Sequence, residues 1–353
     1  MKPVDVTVTG AGRASATGGL SRPPDGGRFD WAIAVLSALL IGGVFLDGWA
    51  HTHGHVDQSF FTPWHAVLYA SYAAVASALL AKLLWNHARG SAWEHAFPRG
   101  YGLSLLGVLI FAVGGAGDMI WHMLFGIEAG VEALLSPTHL ALALGMGLIV
   151  SGPVRAAWQR PELTSGWVAQ GPMLLALTSM LSILTFFTKY AHPLAYAAAG
   201  AGHPHGGSEG LGIASILLQT GVLMGMIQLA VRFGTLPRGA LTVIVTLNAA
   251  AMGCLNFSGD YPLALVVGAG AGALSVDVLY AWLRPTVTRL TAWRLFAFAA
   301  PAAFYLWYFL ALMLTDGVAW SVHLWVGSIV LAGIAGWLLS YLLLPPRSCE
   351  AAP

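Results

Sequence analysis

Charge is scarce in this sequence: Lys, Arg, Asp and Glu make up only 9% of its 353 residues, against 57% hydrophobic. Soluble domains carry about a quarter charged residues, so a water-solvated globule is excluded and a lipid-solvated chain is expected. The formal net charge of +1 leaves no basic surface for nucleic acid. Cysteine is nearly missing. Cys254 and Cys349 lie far apart and form no CxxC pair, which excludes a disulfide framework and a thiol metal or redox motif. No glycine-rich phosphate loop and no hydroxyl-nucleophile motif is present.

Apolar runs and glycine are plentiful. Mean hydropathy is +0.73. The 43 glycines suit close helix–helix approach in a membrane. Residues 1–29 are polar and read as a disordered cytoplasmic tail, followed by a transmembrane domain over 30–345 and a second cytoplasmic tail over 346–353. A span needs about 20 apolar residues. Such runs fall at 31–50, 64–85, 101–123, 138–157, 168–190, 211–231, 239–257, 262–283, 292–314 and 321–344. They predict an all-α bundle of about ten transmembrane helices, the first an uncleaved span.

Basic residues orient the bundle. Lys2, Arg13, Arg22 and Arg28 precede the first run; Lys82, Arg89 and Arg99 follow the second; Arg155 and Arg160 follow the fourth. Arg232 and Arg238 follow the sixth, Arg284, Arg289 and Arg294 the eighth, and Arg347 the tenth. Of the 16 basic residues, only Lys189 falls on the other side. The positive-inside rule then predicts both termini in the cytoplasm, and a bacterial inner membrane with the opposite loops facing the periplasm or exterior.

The histidines gather on that opposite side, at His51, His53, His55, His65, His122, His139, His192, His203, His205 and His323; His87 and His95 are the exceptions. Asp47, Asp118, Asp260 and Asp316 lie at the same ends. Ionisable groups near a membrane interior are costly, so they point to function. An internal repeat sharpens this. Asp47-Gly-Trp-Ala-His51 is followed by Thr62-Pro63-Trp64-His65, and Asp118-Met-Ile-Trp-His122 by Ser136-Pro137-Thr138-His139. The copies, about 31–85 and 101–157, are parallel repeats of one helical hairpin.

Asp and His four apart share a helix face. Thr62 and Ser136 are N-cap residues with proline at the first helical position, which sets His65 and His139 in the first turn of the returning helix. Each hairpin thus offers one carboxylate and two imidazoles: Asp47, His51 and His65 in one, Asp118, His122 and His139 in the other. That set suits a transition metal, copper first, with iron or zinc as alternatives. An Asp–His hydrogen bond that merely closes the hairpin is the competing explanation, and one metal per hairpin or a shared site are both open. Further candidate ligands are His53, His55, His192, His203, His205, Asp316 and His323. Asp57, Glu128 and Glu132 are the candidate partners of the ligand rings. Asp260 with Pro262 reads as a helix cap, Asp277 as an arginine partner, and Trp49, Trp64, Trp121, Trp320 and Trp325 as an interfacial belt.

The D-x3-H pattern with a further His on the next helix resembles the membrane copper sites of the C subunit of particulate methane and ammonia monooxygenases. There an Asp or Asn, a His four later and a His from the following helix segment surround a metal. The resemblance implies Asp47, His51 and His65 as one site and Asp118, His122 and His139 as another. The HxxHH boxes of membrane desaturases and alkane hydroxylases are absent. Three functions follow as expectations: a copper- or iron-dependent membrane oxidoreductase acting on a small or lipidic substrate, a metal transporter or metal-delivery protein, and a haem-handling or structural membrane protein. Expected partners are the lipid bilayer, other membrane subunits and an exported metal chaperone.

Overall fold

The computed structural model describes residues 27–55, 60–126, 130–160, 164–201, 209–255 and 261–344. These residues are helical, with one isolated bridge between Gly200 and Val318 in place of any strand. In chain order the helices are α1 (Gly27–Thr52), α2 (Pro63–Ala88), α3 (Trp93–Ala96), α4 (Gly102–Phe125), α5 (Glu132–Leu135), α6 (Pro137–Val150) and α7 (Gly152–Trp158). There follow α8 (Trp167–Phe187), a 3-10 turn (Lys189–Ala191), α9 (Glu209–Arg232), α10 (Ala240–Cys254), α11 (Tyr261–Leu283), α12 (Leu290–Leu314) and α13 (Val322–Leu343).

Eight of these helices, α1, α2, α4, α8, α9, α11, α12 and α13, are long and apolar enough to cross a membrane. Two of the ten apolar runs take other forms. The run 138–157 is a pair, α6 and α7, bent by 40°. Its cause is local: Pro153 lacks the N–H that would continue the ladder across the break. The carbonyls released there are taken by side chains, the Ser104 hydroxyl donating to Leu148 and Ile149 and the Arg155 guanidinium to Leu148. The run 239–257 gives α10, only 15 residues long, and its last two residues lie outside those described.

α1 and α2 pack as one hairpin, α4 and α6 as another, and α1 also lies along α8; α10, α11, α12, α13 and α9 pack in turn to complete the bundle. The first two hairpins share a core of Leu40, Leu68, Val75, Phe111, Leu142 and Ile149, closed by Phe186 and Leu255. The other face of α4 exposes Leu109, Val113 and Leu124, an apolar surface suited to lipid. At the end of the bundle opposite His51 and His122, Arg160 pairs with buried Asp30 at 2.6 Å, and the Tyr101 hydroxyl donates to the same carboxylate at 2.6 Å. Asp277 departs from its expected arginine pairing. Its Oδ2 accepts from the backbone N–H of Thr242 at 2.6 Å, because the first turn of α10 has amide donors without intrahelical partners. Trp320 also departs from the belt: it is buried against Phe309 and fills the space above Gly212.

Candidate metal centre

Local capping fixes the first hairpin apex. Thr62 is extended, and its hydroxyl accepts the His65 N–H at 3.1 Å with Pro63 opening α2. His65 is thereby held beside the last turns of α1. Its Nε2 lies 3.5 Å from Asp47 Oδ1, while His51 Nε2 lies 3.8 Å from Asp47 Oδ2. The second apex repeats this with Ser136, whose hydroxyl accepts the His139 N–H at 3.4 Å. There His139 Nε2 is 3.3 Å from Asp118 Oδ1 and His122 Nε2 is 3.5 Å from Asp118 Oδ2. Within each trio the candidate ligand atoms all lie within 4.8 Å of one another.

The tautomers make these distances informative. His65 Nδ1 is 2.5 Å from the Phe60 carbonyl oxygen and His122 Nδ1 is 3.2 Å from that of Gly126. A carbonyl only accepts, so Nδ1 carries the hydrogen and, in the neutral ring, Nε2 presents a lone pair. That lone pair faces a carboxylate oxygen, acceptor to acceptor, and the gap calls for a proton or a cation. The 3.3–3.8 Å spacings exceed a charge-assisted N–H···O bond of about 2.7–2.9 Å. Three of the four, at 3.3–3.5 Å, match the roughly 3.0–3.5 Å between two ligands that share an ion at about 2.0–2.2 Å, and His51–Asp47 at 3.8 Å lies just beyond it. Asp47 Oδ1 is also buried and accepts no hydrogen bond among the described residues. The residues present therefore fit a metal ion.

The ring-holding partners are main-chain carbonyls and, for His139, the Ser136 hydroxyl at 2.7 Å. No such contact is made by Glu132, and Asp57 and Glu128, the other two expected carboxylate partners, lie outside the described residues. Carbonyls serve His65 and His122 because Phe60 precedes α2 and Gly126 follows α4, where C=O groups are not taken up by helix bonds.

The two trios are not identical. The Thr138 hydroxyl donates to Asp118 Oδ1 at 2.9 Å, and the Asp118 side chain is only 2% exposed against 17% for Asp47. At the position matching Thr138 the first hairpin has Trp64, whose Nε1 donates instead to the His55 carbonyl at 3.0 Å. The sequence pattern assigned no role to Thr138 or Tyr69, although Tyr69 stands four residues after His65 on the same face of α2. Lys189, the lone exception to the basic asymmetry, sits at this apex. Its ammonium donates to Thr52 at 3.2 Å, next to His51.

No family model, curated protein or solved structure matches this chain. Of the further candidate ligands, His53 and His55 stack on Trp49 at 4.8 and 5.3 Å, and neither completes a cluster of three ligand groups among the described residues. Asp316 and His323 lie exposed around the α12–α13 turn, likewise outside such a cluster. His203, His205 and Asp260 lie outside the described residues.

His192 goes elsewhere. It is buried after the 3-10 turn, lining a cavity of about 30 Å³ with Gln219, Asn248, Tyr305 and Tyr308. Its Nδ1 accepts the Leu194 N–H at 3.2 Å. Burial lowers its pKa from 6.5 to about 3. The unfolded chain therefore binds this proton first, and the stability associated with neutral His192 is lost as pH falls below 6.5 toward 3. The slope is about 1.4 kcal/mol per pH unit for one such group. Thermal unfolding in detergent should accordingly fall less steeply between about pH 6.5 and pH 5 in His192→Gln than in the wild type, by roughly 2 kcal/mol over that interval. Parallel curves would show that the His192 environment does not exclude the proton.

Proposed function

We propose that this chain is an integral membrane metalloprotein that holds transition-metal ions at Asp47–His51–His65 and Asp118–His122–His139 and uses them in oxidation of a small or lipidic substrate. The observation that carries the reading is the pair of carbonyl-anchored imidazoles, His65 and His122, whose Nε2 lone pairs face carboxylates. Three protein ligands per trio leave coordination positions open, as in catalytic rather than closed structural sites. Two imidazoles with one carboxylate suit copper, iron or zinc, and copper also accords with the resemblance to the monooxygenase C subunits.

The same proposal takes ten crossings with both termini cytoplasmic, so that the trios open toward the periplasm. Its support is the basic asymmetry, broken only by Lys189 at the site itself. Metal delivery is the second reading, favoured by His53 and His55 beside the first trio. Beneath the trios, however, lies the apolar packing of Leu68, Val75, Phe111 and Leu142, which favours chemistry at the apex over passage through the bundle. Elemental analysis of detergent-purified protein tests the proposal. Two transition-metal ions per chain, one for each trio, are expected; protein that stays metal-free after equilibration with copper, iron and zinc would remove it.

A further inference from the structure

The two trios are neighbours. The Phe60 ring lies 4.8 Å from His65 of the first and 6.3 Å from His122 of the second. The Asp47 carboxylate is within electrostatic reach of Asp118 and His122, and His51 of His139. Tyr69 lies on the face of α2 that carries His65, one turn deeper, with its ring edge-on to His65 at 6.2 Å and 5.9 Å from Phe60. Its hydroxyl rests against Gly115 of α4, one turn before Asp118. A Cβ built on Gly115 would come within 2.9 Å of the Tyr69 hydroxyl oxygen and of Cε1. Glycine at 115 thus admits the hydroxyl to a position reached electrostatically by both Asp47 and Asp118.

One turn further along α2, the Tyr72 hydroxyl donates to the Val108 carbonyl at 2.8 Å. The Tyr69 hydroxyl has no such partner among the described residues. A phenol hydroxyl seated against α4 one turn from Asp118, with no acceptor among the described residues, is a donor awaiting one. Two carboxylates alone would repel an anion there. Two divalent ions would reverse the sign, since neutral imidazoles contribute no charge to offset them.

We propose that the two trios open onto one chamber, and that the Tyr69 hydroxyl is the hydrogen-bond donor to a small anion seated there when metal is bound. This rests on the metal-binding reading above and adds to it the class of ligand and the residue that orients it. Azide serves as the probe anion, followed through its charge-transfer absorption on protein loaded with Cu(II). Wild-type protein should bind azide only when copper-loaded. Tyr69→Phe should retain its copper and bind azide more weakly, on the order of tenfold, the loss of one hydrogen bond to a charged group. Gly115→Ala, which displaces the hydroxyl, should act in the same direction.

Unchanged azide affinity in copper-loaded Tyr69→Phe overturns the proposal while leaving the metal sites standing. So does a phenolate-to-copper band in azide-free protein that vanishes in Tyr69→Phe, which would make the tyrosine a ligand instead of a donor. Loss of copper from Tyr69→Phe would reduce its role to structure and likewise overturn the proposal. Wild-type protein that takes up none of copper, iron and zinc removes both this inference and the reading beneath it.

Discussion

Asp118→Ala should halve the metal content of the purified protein, from two ions per chain to one. The carboxylate is the hub of its trio: His122 approaches one oxygen at 3.5 Å and His139 the other at 3.3 Å. Without it the two imidazoles have no anionic partner, and a buried cation loses the charge that offsets its desolvation. Removing a group that only orients a ligand costs about 10–100-fold in metal affinity, so loss of the hub should exceed roughly 100-fold. Asp47→Ala should empty the other trio, and the double variant should bind nothing. Thr138→Val keeps the hub and removes only its 2.9 Å hydrogen bond, so affinity should fall within the 10–100-fold range. Metal per chain by elemental analysis, across the four variants and His53→Ala as a control expected to be mild, makes the comparison. Two ions retained in Asp118→Ala would return the trios to hydrogen-bonded hairpin closures.

The second large effect comes from a residue that touches no ligand. Gly145→Val is expected to destabilise the protein and to empty the second trio while the first stays loaded. At this crossing α4 and α6 meet backbone to backbone. A Cβ at Gly145 would lie 2.8 Å from the Phe111 amide nitrogen and 2.9 Å from the Gly107 carbonyl oxygen, and one at Gly107 would lie 2.6 Å from the Gly145 carbonyl oxygen. Main chain cannot swing aside as a flexible side chain does, so valine must push the helices apart. Overpacking of this kind costs about 1–3 kcal/mol or more. Asp118 and His122 end α4 and His139 begins α6, so a splayed hairpin separates the hub from one of its rings. Gly147→Ala, where an added Cβ meets nothing within 4 Å, is the neutral control. Thermal unfolding with metal content would read both effects, and a fully loaded, equally stable Gly145→Val would show that the crossing does not position the trio.

Much of the site was legible in the sequence because its logic is local. The Thr62 and Ser136 caps, the prolines after them and the Asp–His spacing act within one or two helical turns, and the structure realises both caps as hydrogen bonds to His65 and His139. His192 shows where that legibility stops. Its position after an apolar run matched the other histidines, yet packing against Gln219 and Asn248 draws it into a separate cavity.

The sequence by itself determined an all-helical, lipid-suited chain, because apolar run length and scarcity of charge follow from hydration alone. It also determined the two trios, because helix periodicity and capping place residues without reference to distant parts of the chain. Only the tertiary structure decided that His65 and His122 turn Nε2 toward the carboxylates, that Thr138 supports one hub while Trp64 leaves the other bare, and that Tyr69 reaches α4 at Gly115. Those choices depend on which helices touch. In a bilayer, lipid is as apolar as leucine, so hydropathy cannot name a helix's neighbours; backbone contact at glycines and hydrogen bonds between helices select them.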